Sequence, residues 1–506
     1  MKNSILKAFI NFSFWTAISR VFGLLRDVLL AASLGAGPVS DAFFVAFKLP
    51  NMFRRLVAEG ALVQSFLPTF SYVEENNSKQ QAQEFASYVQ SIILIVLLAT
   101  LIIAEIFMSY LIIGLAPGFI KNKEVLETAT SFARATIIYL PMLSVIAIWG
   151  SILQYSGKFM PSAASPIILN VSLISASLLF LSGQFTHDII AFSVPIAGVL
   201  QLLFLVLWLH KLRRIPKIII PNKNYKTYGV WKKFFPAALG AGVIQINLLV
   251  DTILASIVGT SAVSYLYYAD RLSQLPLGII GIAMGTALLP NLSKAETNNK
   301  ISLIKESVEK YLTFGFIFSI PSCVAFFIIP EMLIEVIYAR GAFDDKDVNN
   351  VSIALLAYGL GVPAFISIKV LQAPFFAMRD TITPFRISIF SVLVNILLSI
   401  ILMKYLGFFG IALATSISSY LTSTCYFLIL LKKGRVSTNV LRSLSIIILL
   451  GLCFGLILFG LSSTFANLNL ILSVTLIIII SVIIWFSAMV FFKFIKINSI
   501  KDIFKI

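Results

Sequence analysis

The chain is 506 residues long, 59% hydrophobic and only 12% charged, about half the charged fraction of an ordinary soluble domain. That balance excludes a soluble globular protein, and apolar runs near the 20 residues needed to cross a bilayer recur along the whole length. The formal net charge of +17 would suit a nucleic-acid binder if it formed a basic arm, but Lys and Arg gather in particular inter-helix loops and in the tail, which is a membrane-orientation signal and argues against nucleic acid as a partner.

From the start, Lys2 and Lys7 precede the apolar stretch 8–18 with no small-residue cleavage site after it, and Arg20 interrupts the run. This reads as an uncleaved first helix and not a signal peptide. Hydrophobic patterning predicts an all-α polytopic membrane protein with about 14 helices, over 8–35, 40–71, 84–115, 124–156, 161–183, 187–210, 233–259, 262–293, 302–330, 348–377, 383–405, 407–431, 438–462 and 467–493. Lys211, Arg213, Arg214, Lys217, Lys223, Lys226, Lys232 and Lys233 crowd the connection after helix six. Lys432, Lys433 and Arg435 follow helix twelve, and Lys493, Lys496, Lys501 and Lys505 make a basic tail. Connections on the other side, Gly35–Val39, Gln184–Thr186, Gly259–Ala262 and Ser462–Leu468, carry no Lys or Arg. With an even helix count, both termini are expected in the cytoplasm.

An internal repeat underlies this order. Asp27–Phe44 (DVLLAASLGAGPVSDAFF) aligns without gaps on Asp251–Tyr268 (DTILASIVGTSAVSYLYY), and each copy later reaches a Leu-Pro pair, Leu67–Pro68 and Leu289–Pro290. The copies start in helices one and seven, which run in the same direction. Two parallel-repeat six-helix lobes are therefore expected, 1–220 and 221–434, with 435–506 adding two C-terminal helices and the tail. Such repeats favour transporters that alternate access around a central site.

Ionisable residues inside spanning helices are costly and normally face a wet cavity. Here they concentrate in helices one and two: Arg20, Arg26, Asp27, Asp41, Lys48, Arg54, Arg55 and Glu59. Asp41, Lys48, Arg55 and Glu59 fall at i, i+7, i+14 and i+18, near one face of a regular helix, and a kink at Pro50 would turn Arg54 toward that stripe in place of Arg55. Asp270 and Arg271 add a pair in helix eight. The positive balance suits an anionic ligand, because the guanidinium fork matches phosphate oxygens. The competing reading is that these groups snorkel to headgroups or form ion pairs that fix helix packing. Asp27, Asp41 and Glu59 read as partners that hold or release the arginines, and Gly35 with Gly37 as a turn able to gate.

A second polar set comprises Asp251 in helix seven, Asn395 and Ser399 in helix eleven, and Thr415 and Ser419 in helix twelve. One carboxylate with neutral oxygens suits a monovalent cation such as Na⁺; interhelical hydrogen bonding is the alternative. No enzyme constellation is present. His187 and His210 are the only histidines, Cys323, Cys425 and Cys453 lack any ligand spacing, and there is no Gly-rich phosphate loop or nucleophile elbow. A transporter without its own ATPase and without an organic cofactor is expected.

Three N-terminal stretches are longer than chance supplies: Ser19–Asp27 (SRVFGLLRD), Ser40–Asn51 (SDAFFVAFKLPN) and Phe53–Ala61 (FRRLVAEGA). With Tyr267–Arg271 (YYADR), Gly285–Pro290 (GTALLP) and Arg379–Pro384 (RDTITP), the sequence resembles the MurJ (MviN) lipid II flippase family over nearly its whole length. The resemblance implies the multidrug/oligosaccharidyl-lipid/polysaccharide exporter fold, with helices thirteen and fourteen lining a groove for a polyprenyl tail. It implies location in the bacterial cytoplasmic (inner) membrane. The implied substrate is lipid II, undecaprenyl-diphosphate-linked disaccharide-pentapeptide, with membrane lipid and cell-wall synthesis proteins as further partners. Carried over by position, Arg20, Arg26, Arg54 and Arg271 look like the cavity arginines, and Asp27, Asp41 and Glu59 like gating and pairing carboxylates; the charge pattern adds Lys48 and Asp270 as gating or ion-pairing candidates. Asp251, Asn395 and Thr415 look like parts of a Na⁺ site described in some relatives, although Ser399 stands where a second carboxylate would be expected.

Overall fold

The computed structural model describes residues 2–55, 61–222 and 226–494, with side chains from residue 14 onward apart from 239–241, 243–244, 282–283 and 285–287. Every regular element among them is helical. In chain order they are α1 (Lys2–Leu34), α2 (Pro38–Phe53), α3 (Leu62–Asn76), α4 (Lys79–Ile106), α5 (Met108–Leu115), α6 (Lys123–Ile137), α7 (Tyr139–Tyr155), α8 (Phe159–Leu181) and α9 (Asp188–Leu212). There follow α10 (Val230–Val258), α11 (Ala262–Pro276), α12 (Ile282–Thr297), α13 (Ile301–Ile328), α14 (Pro330–Tyr338), α15 (Asp345–Ala377), α16 (Ile382–Lys432), α17 (Asn439–Thr464) and α18 (Leu470–Phe491). Nine helical stretches among the described residues are long and apolar enough to cross a membrane. The chain is a multi-pass membrane protein.

Where periodicity predicts one long helix, the chain several times makes two. Pro50 lies inside α2, and the backbone passes through π-helical residues Arg54 and Arg55 before α3 begins at Leu62. Proline removes a backbone donor and crowds the preceding turn, and a π turn is a common way to absorb the misfit. Pro276 precedes a second π segment, Leu277–Gly281, between α11 and α12. Pro330 starts α14 as a separate helix that patterning did not predict. Within α16 the backbone is non-helical at Gly407, whose φ is 59° and ψ −138°, so it comprises two helical arms that match predicted helices eleven and twelve.

Two compact units emerge, Met1–Ser264 with Arg340–Asp344, and Tyr265–Ala339 with Asp345–Ile506. In the first, α1 packs on α8, α2 on α6, α8 on α9, and α10 on α3. Phe66, Phe70 and Phe85 stack in its core. Arg214, from the basic connection, forks onto Glu74 with bonds of 2.8 and 2.6 Å. A 3₁₀ turn at Pro117–Lys121 presses so closely on α10 that a Cβ on Gly118 would stand 1.7 Å from the Ser256 carbonyl oxygen.

In the second unit α15 lies along both α16 and α13. The C-terminal pair attaches to α13. Gly451 of α17 lets Ile320 approach to 2.5 Å of where a Cβ would be, and the buried Trp485 of α18 donates its Nε1–H to the Ile317 carbonyl at 2.7 Å. Arg435 bonds Glu296 at 2.7 Å and Lys433 bonds Asp380 at 3.0 Å. The Asp380 carboxyl is held down at about 2 by the Thr383 backbone N–H, the Thr383 hydroxyl and Lys433.

Candidate substrate-binding and gating residues

Most of the ionisable residues singled out in the sequence lie in the first unit. Arg20 is exposed on α1, and Lys48 and Arg54 are half-buried on and just beyond α2. Six residues after Arg20, Arg26 is only 8% exposed and Asp27 only 3%, so both charges have left water. Adjacent positions on a helix do not face one another, and the pair forms because the long Arg26 side chain curls back. Its Nη2 and Nε reach Asp27 Oδ1 at 2.7 and 3.1 Å. Arg26 Nη1 donates to Asn170 Oδ1 on α8 at 3.0 Å, and Asn170 Nδ2 in turn donates to the Ser19 carbonyl at 3.0 Å. The guanidinium is thereby aimed by a carboxylate and an amide from two helices. Of the two sequence readings, buried pairing describes Arg26 in this conformation. Asn170 was missed; the available signal was a lone amide inside an otherwise apolar span.

The α2 stripe is cut. Because α2 ends at Phe53, Arg55 does not continue the spacing begun by Asp41 and Lys48, and Arg54 turns back on Asn51 with bonds of 3.3 and 3.0 Å. Glu59 lies outside the described residues.

Asp41 is fully buried. Its carboxylate accepts from the Ser261 N–H at 2.6 Å, the Ser264 N–H at 2.8 Å and the Ser264 hydroxyl. The first N–H groups of a helix have no partner within it, so a carboxylate from α2 caps the start of α11, where the helix dipole also favours negative charge. Ser261 takes a φ of 75° to present its N–H. Ser40 Oγ lies 2.9 Å from Ser264 Oγ, and these two serines occupy matching positions in the internal repeat. Asp41 matches Tyr265, so the cap exists in one copy only. Nearby, the Ala342 N–H bonds the Ala32 carbonyl of α1 at 2.8 Å. Of the two glycines in this turn only Gly35 needs its left-handed φ, 62°; Gly37 starts α2, its N–H bonded to Ser40 Oγ at 2.8 Å.

In the second unit Arg271 is half-buried, its guanidinium 4.8 Å from the Tyr267 ring centre and bonded to the Tyr267 hydroxyl at 3.0 Å. Asp270 accepts from Gln274 on the next turn. Asn395 donates to Thr415 Oγ1 at 3.1 Å and Ser418 Oγ at 3.3 Å, while Ser399 donates to Asn395 Oδ1 at 3.5 Å. These residues bind the arms of α16 to each other. Asp251 belongs to the first unit and accepts from Asn247 at 3.5 Å.

The "Lipid II flippase MurJ" family model matches residues 30–478. The chain belongs to the lipid II flippase MurJ family. A probable lipid II flippase MurJ of Rickettsia prowazekii is 36% identical over 419 residues, 82% of each chain. Another, from Buchnera aphidicola subsp. Schizaphis graminum, is 36% identical over 440 residues, covering 86% of this chain and 85% of the relative. Among solved structures, a lipid II flippase MurJ in an inward closed conformation aligns with a TM-score of 0.81 at 27% identity, covering 96% of this chain and 99% of that one. An inward-facing MATE multidrug transporter of the MOP superfamily, at 17% identity and a TM-score of 0.66 over 86% of this chain, shares the fold.

Proposed function

We propose that this chain moves lipid II from the inner to the outer leaflet of the bacterial cytoplasmic membrane. The observation that carries the reading is the family match across nearly the whole chain. Both termini are cytoplasmic under this proposal, and the chain is a transporter and not an enzyme. Arg20, Arg26, Arg54 and Arg271 receive the diphosphate headgroup while the polyprenyl tail stays in lipid, along α17 and α18. A doubly charged diphosphate entering a low-dielectric site needs several guanidinium forks. Arg26, already desolvated by Asp27 and Asn170, is positioned for that role, since an incoming phosphate oxygen replaces one carboxylate partner with another anion. The lobes then alternate access, with release of Asp41 from the start of α11 opening the outer end. Membrane potential contributes about 2.3 kcal/mol per charge per 100 mV to the cycle.

Sodium coupling at Asp251, Asn395 and Thr415 is a separate proposal. In this conformation Asn395 presents an N–H toward Thr415, where a cation would want a carbonyl oxygen. Replacing Na⁺ by K⁺ in a flipping assay tests it directly.

The test of the main reading is conditional depletion with complementation, scoring in which leaflet the lipid-linked precursor accumulates. Parent protein restores arrival at the outer leaflet. Arg20→Gln, Arg26→Gln and Arg271→Gln, checked for normal abundance, leave the precursor inside. Full complementation by all three variants refutes the assigned cavity, and a non-transporting scaffold for cell-wall enzymes becomes the better reading. Accumulation of a different polyprenyl-linked oligosaccharide redirects the substrate.

A further inference from the structure

A second set of charges lies away from the site residues considered above, between the end of α4, α5 and α6 in the first unit. A cleft of about 630 Å³ there is lined by Glu105, Lys123, Glu127, Arg134, Ile138 and Phe192, among others. Arg134 Nε stands 3.7 Å from Glu105 Oε2, and Lys123 Nζ stands 3.6 Å from Glu127 Oε1. Both separations are longer than a strong hydrogen bond, so each pair is a loose ion pair.

Three observations indicate what enters. The cleft opens onto lipid: Ile102, Ile103 and Ile106, around Glu105 on α4, are 62%, 59% and 69% exposed, and Phe192 is 53% exposed. A carboxylate and a guanidinium in such a setting are costly unless a polar partner reaches them. The cleft also sits where α4 ends and α6 begins. The Pro117–Lys121 turn that joins them packs on Ser256, near the end of α10. Finally, two acidic and two basic side chains make its formal charge zero, with the Glu105–Arg134 pair less exposed than the Lys123–Glu127 pair. A neutral, paired arrangement repels a purely anionic headgroup as much as it attracts it, whereas a zwitterion satisfies both signs.

We infer that this cleft binds the headgroup of a zwitterionic amino-phospholipid, phosphatidylethanolamine, as a resident lipid. The phosphate takes the Arg134 fork, the primary ammonium donates to Glu105, and the acyl chains lie over Ile138 and Phe192. A primary ammonium has three N–H donors, which a trimethylated choline lacks and a glycerol headgroup does not carry as charge. The inference is independent of the flipping reaction and of which membrane side the cleft faces.

The test is native mass spectrometry of the purified, delipidated full chain titrated separately with palmitoyl-oleoyl phosphatidylethanolamine, phosphatidylcholine and phosphatidylglycerol. The parent should show one site preferring phosphatidylethanolamine by about tenfold, the scale of one charge-assisted bond. Glu105→Gln should abolish that preference over phosphatidylglycerol. Arg134→Gln should weaken both lipids, because both present a phosphate. Thermal unfolding measured alongside identifies a misfolded variant; Arg134→Lys and Lys123→Gln then take its place and should give smaller losses in the same direction. Equal affinity of the parent for all three lipids overturns the inference. So does tighter phosphatidylglycerol binding than phosphatidylethanolamine, or unchanged phosphatidylethanolamine affinity in folded Glu105→Gln and Arg134→Gln proteins.

Discussion

Replacing Asp41 by alanine tests the reading of the α2–α11 joint most directly. The carboxylate serves the Ser261 N–H, the Ser264 N–H and the Ser264 hydroxyl, and the two amides belong to the helix start that has no internal acceptors. A buried donor left without its acceptor costs about 1–3 kcal/mol, and loss of a helix cap about 1 kcal/mol. Part of each overlaps, so about 2–3 kcal/mol is expected for Asp41→Ala. At 1.36 kcal/mol per factor of ten, that corresponds to about 30–150-fold faster amide exchange at these positions. Asp41→Asn keeps one carbonyl oxygen and should give a smaller acceleration, about tenfold. Hydrogen-exchange mass spectrometry of peptides covering 259–268 reads both variants against the parent, with the α18 segment around Trp485 as an internal reference. Unchanged exchange at Ser261 and Ser264 in the alanine variant would refute the cap. Equal acceleration throughout the protein would show general destabilisation and refute a local joint.

Three further outcomes follow from packing and charge. Asp27→Asn leaves the guanidinium of Arg26 facing a neutral amide in a site 10% accessible at the arginine side chain, and stability by thermal unfolding should fall by about 3–5 kcal/mol. The double variant Arg26→Met with Asp27→Leu should recover most of that loss while remaining inactive in complementation, which separates support of the fold from transport. Gly118→Ala forces a methyl into the Ser256 carbonyl oxygen, and the resulting shift should cost about 1–3 kcal/mol by chemical denaturation. Asp380 has a folded-state pKa of about 2 against 3.8 in the unfolded chain, so its ionised form stabilises the fold. That contribution is present above pH about 4 and lost as pH falls toward 2. Asp380→Asn should therefore be less stable than the parent near pH 6 and equal to it near pH 2, measured by unfolding midpoints in one detergent; a constant difference across that range would contradict the assignment.

Hydrophobic patterning located the spans because the bilayer leaves few options for an apolar run of that length. It did not locate the breaks. Arg54 and Arg55 sit in a π turn whose position depends on how the misfit from Pro50 is absorbed, and neighbouring helices decide that. The break at Gly407 was legible as a boundary between two helices, and the backbone there is non-helical. Among functional residues, Arg26 and Asp27 were visible as charges in an apolar run, and their partner Asn170 was visible only as an isolated amide 144 positions away. Asp41 was singled out as a partner for arginine, but its carboxylate serves the Ser264 hydroxyl and two backbone amides, and the amides carry no sequence signature. Glu105 and Arg134 escaped notice because they lie on different helices, and only packing brings them within 3.7 Å.

The contact between Ser40 and Ser264 has a consequence for how the joint parts. Two hydroxyls and a carboxylate at a helix start exchange one set of hydrogen bonds for another when water enters, and such an exchange is nearly balanced in free energy. A seam closed by leucines would instead expose oily surface on opening and resist it in proportion to area. Under the proposed alternating access, polar closure at this spot would let the joint separate with less resistance than an apolar seam of the same area, so that a modest bias from a bound anion or the electric field would decide which way it stands.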